Sequence, residues 1–97
     1  MEANKIIITG AATRMGAAIA KKLSGPGVEM VIHYNSSKSA AEKLQKELSK
    51  NKTKVYLVKG DLAKEQDLKK IIKFSKLKLK YFNCLVNNAS LFENDSL

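Results

Sequence analysis

The sequence is poor in residues that crosslink a chain or break its regular structure. Its one cysteine, Cys84, excludes a disulfide framework and a cysteine-rich metal site within the chain, a composition typical of a reducing compartment. One proline and five glycines exclude collagen-like and low-complexity chains, and a hydrophobic content of 44% excludes disorder. The 97 residues are enough for one domain or for part of one.

Long hydrophobic runs are also missing. The beginning, "MEANK", has no cationic segment followed by a long apolar stretch, so no secretory signal is predicted. The longest apolar runs fall well short of the length that spans a bilayer. We therefore expect a cytoplasmic protein without a membrane partner.

The charge is strongly of one sign, with a net charge of +9, and Arg14 is the single arginine among 18 basic residues. A basic balance raises nucleic-acid binding as a hypothesis. Nucleic-acid-binding proteins favour arginine forks and stacked aromatic rings, whereas this chain has no tryptophan and spreads its lysines over helical segments. The lysines are better interpreted as solvated helix faces, and nucleic-acid binding is the less favoured alternative.

Hydrophobic periodicity alternates between strand and helix along the whole chain. Strands are predicted over 5–9, 28–34 and 54–60 and within 81–90, and helices are predicted after the turn at 10–16, over 40–50 and over 63–78. Strands that alternate with helices of this length indicate a parallel sheet with right-handed crossovers. We predict an α/β fold of order β-α-β-α-β-α-β, with residues 1–97 forming a single partial domain.

Helical spacing predicts which residues each helix buries. The expected inner stripes are Met15, Ile19 and Leu23 in the first helix, Ala40, Leu44 and Leu48 in the second, and Leu68, Ile71, Ile72 and Ser75 in the third. "SGPG" (24–27) should end the first helix, and the serines of 35–39 offer caps for the second. "CLVN" (84–87) would be an apolar edge strand with Cys84 in the core.

The segment "TGAATRMG" (9–16) joins the first strand to the first helix. Gly10 can adopt a left-handed turn, and Gly16 lets the helix pack close to the strand. The helix N-terminus between them presents amide N–H groups and the positive end of the helix dipole, which suit a phosphate. We predict a phosphate-binding loop here, with an ordinary two-glycine turn as the alternative. Arg14 stands where such loops usually carry a middle glycine.

The end of the second strand, "HYNSS" (33–37), contains no carboxylate. Units that bind NAD place an aspartate or glutamate there, about 20 residues past the glycines, to hold the ribose hydroxyls. His33, Asn35, Ser36, Ser37 and Lys38 are instead suited to a 2′-phosphate. The sequence therefore favours NADP(H) over NAD(H), and the alternative is a plain polar loop with His33 as a partly buried strand residue.

Two further polar segments follow later strands. Asp61 and Leu62 follow the third strand, where a carboxylate can accept a hydrogen bond from an adenine amino group, although an aspartate there equally suits a helix cap. "NNAS" (87–90) follows the fourth strand, which we place next to the first. Because the carboxyl ends of parallel strands share one sheet edge, these segments join the glycine turn in one candidate site.

Together these motifs resemble those of the short-chain dehydrogenase/reductase family, over the whole chain. "TGAATRMG" looks like the family's Thr-Gly-x-x-x-Gly-x-Gly loop, Asp61-Leu62 like its adenine-contacting aspartate, and "NNAS" like its Asn-Asn-Ala-Gly motif. Arg14, the His33-Tyr34 pair and the serine ending "NNAS" resemble the pteridine reductase subgroup. The chain departs from that subgroup at Thr13, where a basic residue is usual, and at Ser36, where an arginine grips the 2′-phosphate.

The resemblance implies the N-terminal half of a Rossmann-type doubly wound sheet that binds NADP(H). It implies a pyrophosphate lined by Gly10, Arg14, Met15 and Gly16. It implies an adenosine phosphate surrounded by His33, Tyr34, Asn35, Ser36 and Ser37. The adenine would lie between Asp61 and Leu62, and the ribose along Asn88, Ala89 and Ser90. No metal site is predicted.

The family's chemistry needs a Tyr-x-x-x-Lys pair, in which the tyrosine passes a proton to the substrate carbonyl while hydride leaves the nicotinamide. The family places this pair beyond the Asn-Asn-Ala strand, and the chain ends at Leu97 without it. Tyr34 and Lys38 match the spacing, but the segment that joins them begins in the second strand. It would lie where the cofactor's adenine binds, far from the nicotinamide. No catalytic residue is therefore predicted.

Two functions that involve a nucleotide remain open at this point, beside the less favoured alternative of nucleic-acid binding. The favoured one is the cofactor-binding portion of a carbonyl or pterin reductase, inactive alone because of a truncated or split gene, with the missing C-terminal half as a partner. The alternative is a non-catalytic nucleotide-binding module. The sequence indicates neither a substrate nor an oligomeric state.

Overall fold

The computed structural model describes residues 4–88 of the chain. Its elements alternate strictly, in the order β1 (Lys5–Thr9), α1 (Arg14–Leu23), β2 (Glu29–Tyr34), α2 (Lys38–Ser49), β3 (Lys54–Lys59), α3 (Glu65–Leu79) and β4 (Cys84–Asn87). The predicted order is confirmed, and every observed boundary lies within a few residues of the expected one. Ser37 precedes α2 as its N-cap, although its side chain makes no capping hydrogen bond.

The four strands form one parallel sheet in the order β3-β2-β1-β4. The continuous β-branched run of β1 is buried between two neighbours, since Ile8 pairs with Ile32 of β2 on one side and with Val86 of β4 on the other. Within residues 4–88, β3 and β4 are the sheet edges, as predicted for β4. This is the N-terminal part of a Rossmann-type fold, and it brings the ends of β1, β2 and β4 side by side.

The hydrophobic core has two layers, one on each face of the sheet. In one layer, Ile8 and Ile32 of the sheet pack with Leu44 and Leu48 of α2, and α1 packs on the same face. In the other layer, the strand side chains that point to the opposite face of the sheet pack against α3. Cys84 packs against the first layer, and this residue is half-buried. All lysines in the described part of the chain are exposed except Lys5, whose Nζ donates to the Leu79 carbonyl at the end of α3 at 2.8 Å.

The buried face of α1 differs from the predicted stripe. Met15 is 67% exposed, whereas Gly16 and Ala20 are fully buried and Leu23 packs against the core. The prediction was wrong for Met15 because the helix meets the sheet through its smallest residues. The large apolar side chain of the first turn points away from the core, beside the glycine turn.

The stripes of α2 and α3 also need correction. In α2 the buried alanine is Ala41 and not Ala40, which is exposed, while Leu44 and Leu48 are buried as predicted. In α3 the buried residues are Ile71, Ser75 and Leu79. Leu68 and Ile72 are 41% and 46% exposed, because α3 contacts the sheet along a narrower line than its sequence suggests.

Gly16 sets how closely α1 approaches the end of β1. A Cβ at this position would lie 2.4 Å from the Gly10 carbonyl oxygen, 2.7 Å from the Ala11 Cα and 2.9 Å from the Asn88 Nδ2. Two of these atoms belong to the backbone, which cannot move aside without shifting the turn. The helix can therefore occupy its place only with glycine at this position.

We expect Gly16→Ala to destabilise the chain by about 1–3 kcal/mol, because overpacking of this size has that typical cost. Helix propensity alone predicts the opposite sign, since alanine favours a helix interior by up to about 1 kcal/mol over glycine. Thermal unfolding followed by circular dichroism measures the difference. Gly25→Ala is the matched control, since nothing lies within 4 Å of a Cβ there and its stability should change by less than about 0.5 kcal/mol. Equal melting temperatures for both variants would contradict the packing argument.

Candidate functional site

The carboxyl ends of all four strands meet along one edge of the sheet. The turn at 10–13 follows β1, the polar segment 35–37 follows β2, Gly60 and Asp61 follow β3, and Asn88 follows β4. The parallel pairing of β1 with β2 and β4 brings the first, second and fourth of these segments around the start of α1. The predicted candidate site is therefore assembled at one place.

The glycine turn is closed by hydrogen bonds of its own. Gly10 has φ of 65°, which a glycine adopts without strain. Its carbonyl accepts from the Thr13 backbone N–H at 3.3 Å and from the Thr13 hydroxyl at 2.8 Å. The turn thus delivers the chain into α1 with its first amides pointing outward.

Thr13 caps the N-terminus of α1. Its Oγ1 accepts from the Gly16 N–H at 3.0 Å, in extended backbone geometry typical of an N-cap. This capping role was not predicted, since Thr13 stood out in the sequence only as a departure from the pteridine reductase pattern. The signal was present, since threonine directly before a helical run is a capping residue.

The first turn of α1 keeps unused donors. Within residues 4–88 the backbone N–H groups of Arg14 and Met15 have no protein acceptor, and the turn contains no acidic side chain. Arg14 is exposed at the first helical position. Outward amides, a helix dipole and a guanidinium together favour an anion at this point.

Asn88 fastens the end of β4 to the same turn. Its Nδ2 donates to the Gly10 carbonyl at 3.1 Å and to the Thr13 Oγ1 at 3.0 Å. One residue earlier, the Thr9 hydroxyl donates to the Asn87 Oδ1 at 3.0 Å. Asn88, predicted beside the ribose, thus supports the loop directly through hydrogen bonds. Ala89 and Ser90, predicted beside the ribose, lie outside the described residues.

The segment after β2 divides into a buried and an exposed part. Asn35, Ser36 and Ser37 are exposed, as a ligand-binding loop requires, and the Ser36 carbonyl accepts from the Lys38 N–H at 3.0 Å. Tyr34 is only 7% exposed. The predicted set for the adenosine phosphate therefore has three side chains on the surface.

His33, also predicted near the adenosine phosphate, lies inside the protein and is 2% exposed. Its Nδ1 accepts from the Gly10 N–H at 3.0 Å, and its Nε2 lies 2.8 Å from the Gly60 carbonyl oxygen. Burial lowers the pKa of His33 below its ordinary value of 6.5, against a smaller raising effect of the Gly60 carbonyl. Both ring nitrogens are bonded to backbone groups of the chain. The imidazole therefore contacts the glycine turn from the protein interior and presents no nitrogen to a ligand.

An open cleft of about 370 Å³ lies at the end of β3. Its lining is polar and mostly charged, and consists of Asn35, Lys59, Gly60, Asp61, Lys64, Asp67 and Lys70. The Asp61 Oδ1 accepts from the Ala63 N–H at 2.9 Å, and the Asp61 N–H donates to the Asp67 carboxylate at 2.8 Å. Asp61 thus stabilises its own turn through one carboxylate oxygen, while Oδ2 makes no hydrogen bond to residues 4–88. Leu62 is half-buried against the α3 layer.

A second, smaller cleft of about 230 Å³ lies along α1 and α2 and reaches the glycine turn. Arg14, Thr13 and Lys43 line it, together with Lys21, which forms an ion pair with Glu47 at 3.3 Å. The cleft extends the positive surface at the loop. Among the described residues, no cluster of His, Cys, Asp and Glu could hold a metal ion. The same part of the chain contains no helix long and apolar enough to cross a membrane.

Comparison with known proteins agrees with this geometry. Residues 4–97 match the family model described as short chain dehydrogenase. Dehydrogenase/reductase SDR family member 4 of Caenorhabditis elegans is 34% identical over 90 residues, which cover 93% of this chain and 35% of that protein. The chain thus spans about a third of the length of that curated relative.

Solved structures show the same architecture. A short-chain dehydrogenase from Oenococcus oeni superposes with a TM-score of 0.79 at 30% identity, covering 89% of this chain and 40% of that one. A dehydrogenase from Burkholderia cenocepacia with bound NADP has a TM-score of 0.81 at 24% identity, covering 89% of this chain and 34% of the other, and shows likeness of fold. Because residues 4–97, nearly the whole chain, match the family model, this chain belongs to the short-chain dehydrogenase family.

Proposed function

We propose that residues 1–97 form the adenine-side part of an NADP(H) site in a reductase that transfers hydride to a carbonyl or pterin-like substrate. The observation that carries the proposal is the closed turn at the start of α1. Its outward Arg14 and Met15 amides have no acceptor in residues 4–88, and the only arginine of the chain stands beside them. A dinucleotide pyrophosphate supplies the anion that this arrangement suits.

Each part of the cofactor has a matching group at this sheet edge. The pyrophosphate would lie over Gly10 and Gly16 and meet the Arg14 guanidinium, while the adenine would occupy the cleft beside Asp61 and Leu62. Asn88 supports the turn from the β4 side, and Ala89 and Ser90 would continue along the ribose. The cofactor, when bound, supplies the hydride, and the residues of this site would hold and orient the cofactor.

The preference for NADP(H) rests on the segment after β2. Asn35, Ser36 and Ser37 are exposed polar side chains, and Lys38 follows them at the start of α2. A carboxylate there would repel a 2′-phosphate, and none is present between 33 and 38. The Burkholderia dehydrogenase supports the proposal only by showing that the shared fold holds NADP.

A pteridine-reductase-like subgroup is the finer part of the proposal. It is supported by Arg14 in place of the middle glycine and by the His33-Tyr34 pair at the end of β2. The exposed guanidinium at the first position of α1 can face both a pyrophosphate and a neighbouring substrate with the same fork of donors.

A non-catalytic nucleotide-binding module is the second candidate. It is favoured by the absence of a Tyr-x-x-x-Lys pair on any helix within residues 4–88. Tyr34 and Lys38 have the spacing, but Tyr34 is the buried last residue of β2 and only Lys38 is helical. This pair therefore lacks the one-turn helical geometry that would bring its polar groups together.

We expect the purified chain to bind NADPH weakly, more tightly than NADH, and to reduce no carbonyl substrate by itself. Titration of NADPH and NADH fluorescence measures the two affinities, and loss of NADPH absorbance with added carbonyl compounds measures turnover. Failure to bind either dinucleotide would refute the proposed site. Carbonyl reduction by the chain alone would refute the prediction that residues 1–97 contain no catalytic residue.

Arg14→Ala should weaken NADPH binding about tenfold, which corresponds to ~1.4 kcal/mol, because one charged hydrogen-bonding partner of the pyrophosphate is lost. Lys22→Ala is the matched control, since it removes an exposed positive charge from the other end of the same helix. Binding by the control should change less than twofold, apart from a general charge effect that salt removes. Equal losses in both variants would show that Arg14 contributes only net charge.

Ser36→Arg should tighten NADPH binding about tenfold and leave NADH binding unchanged, because a guanidinium pairs with a 2′-phosphate that NADH lacks. Ser36→Asp should have the opposite effect on NADPH. Competition between the two dinucleotides, measured for each variant, gives the preference directly. A parallel change for NADPH and NADH would place the 2′-phosphate away from this segment.

A further inference from the structure

His33 connects three strands at the edge that carries the candidate site. It lies next to the last residue of β2, its Nδ1 accepts from the Gly10 N–H of the glycine turn, and its Nε2 lies 2.8 Å from the Gly60 carbonyl oxygen beyond β3. The backbone adds two hydrogen bonds, from the Ala11 N–H to the His33 carbonyl at 3.1 Å and from the Gly60 N–H to the Tyr34 carbonyl at 3.0 Å. The imidazole is the only side chain in residues 4–88 that bonds to both the turn and the end of β3.

The hydrogen bonds fix the protonation state of this ring. A backbone N–H can only donate, so Nδ1 must be an unprotonated acceptor for Gly10. The Gly60 carbonyl can only accept, so Nε2 carries the proton. The neutral Nε2–H tautomer therefore satisfies both contacts, whereas an imidazolium would direct an N–H at the Gly10 N–H and lose that bond.

Few charged groups lie near the imidazole. On β3 its neighbour in register is Val58, which carries no charge, and the only charged residue of β1 is Lys5 at the opposite end of that strand. The charged groups at this edge are Lys59, the last residue of β3, Asp61 and Asp67, whose hydrogen bonds are made within the turn beyond β3, and Lys64 and Lys70, which line the 370 Å³ cleft. The remaining helices, α1 and α2, cover the opposite face of the sheet, so no carboxylate from them offsets a charge on His33.

We propose that His33 is the positioning residue of the glycine turn, and that its protonation releases the turn and so weakens dinucleotide binding at acidic pH. The inference rests on the proposed function for its effect on the cofactor, but the release of the turn stands on the structure alone. The group that moves is the Gly10 amide, at the base of the loop that presents the Arg14 and Met15 donors.

The direction of the pH effect follows from the buried ring. Burial lowers the pKa of His33 in the folded chain below the ordinary 6.5 of the unfolded chain. The neutral ring is thus favoured by folding, so its stabilising contribution is complete above about pH 6.5. It is lost as the pH falls from there through the lower pKa of the folded state.

The release of the turn can be measured without a cofactor. In the ¹⁵N-labelled full chain, the Gly10 amide resonance and the His33 ring nitrogens are followed between about pH 8 and pH 5. We expect the Gly10 amide to shift and to lose protection from hydrogen exchange with the same midpoint as the ring. A ring that titrates while the Gly10 amide stays unchanged would overturn the proposal, as would a ring that stays neutral over this range in the folded chain.

The effect on binding is tested with NADP⁺ and two variants. His33→Asn places an acceptor that does not titrate near the position of Nδ1, and His33→Leu provides none. Affinity of the native chain should fall about tenfold more than that of His33→Asn as the pH is lowered, and His33→Leu should bind weakly at every pH. The comparison between variants is needed because the 2′-phosphate itself titrates near about pH 6.

The outcomes separate the two proposals. Parallel pH profiles for the native chain and His33→Asn would overturn the role of His33 while leaving the proposed function intact. Absence of NADP⁺ binding at any pH would overturn the proposed function, and the Gly10 amide titration would still decide whether His33 holds the turn. Circular dichroism at each pH confirms that the chain remains folded, so that a loss of binding reports on the turn.

Discussion

The central place of β1 in the sheet is the constraint on which the rest of the structure depends. Because β1 pairs in parallel with both β2 and β4, the turn that follows it lies between the ends of two neighbours. His33 reaches this turn from β2 and Asn88 reaches it from β4, so Gly10 is held through its N–H by one and through its carbonyl by the other. A peripheral strand would offer its turn only one such support, and the first amides of α1 would not be fixed in direction.

The fold was predictable because it depends on patterns that are local in sequence. The β-branched run at 5–9 became β1 at those same residues, and the alternation of strands and helices gave the parallel sheet. The buried faces of the helices were less predictable. Spacing identifies a stripe of large apolar residues, but α1 packs through Gly16 and Ala20 and leaves Met15 exposed. Close approach of helix and sheet selects for small residues, which hydrophobicity alone does not reveal.

The candidate site was predictable in its location and less so in its working parts. The glycine turn, the polar segment after β2 and Asp61 could be placed at one edge because parallel strands end together. The roles of Thr13 and His33 depend on which atoms face each other across the sheet, and this follows from register and not from residue type. His33 was therefore counted among ligand-contacting residues, while its nitrogens in fact bond to backbone groups on either side of β2.

The hydrogen bond from the Asn88 side chain to the Gly10 carbonyl spans 78 residues of sequence, so it closes nearly the whole described chain into one loop. Because the entropy of loop closure must be overcome before contacts of such long range contribute, we expect this one to form late in folding. The pairing of β1 with β2 can precede it, because these strands are separated by a single helix. The turn at Gly10 is then the last part of the edge to acquire its final shape. On this expectation the start of α1 would become able to hold an anion only after the fourth strand has joined the sheet, so that anion binding would report completed folding.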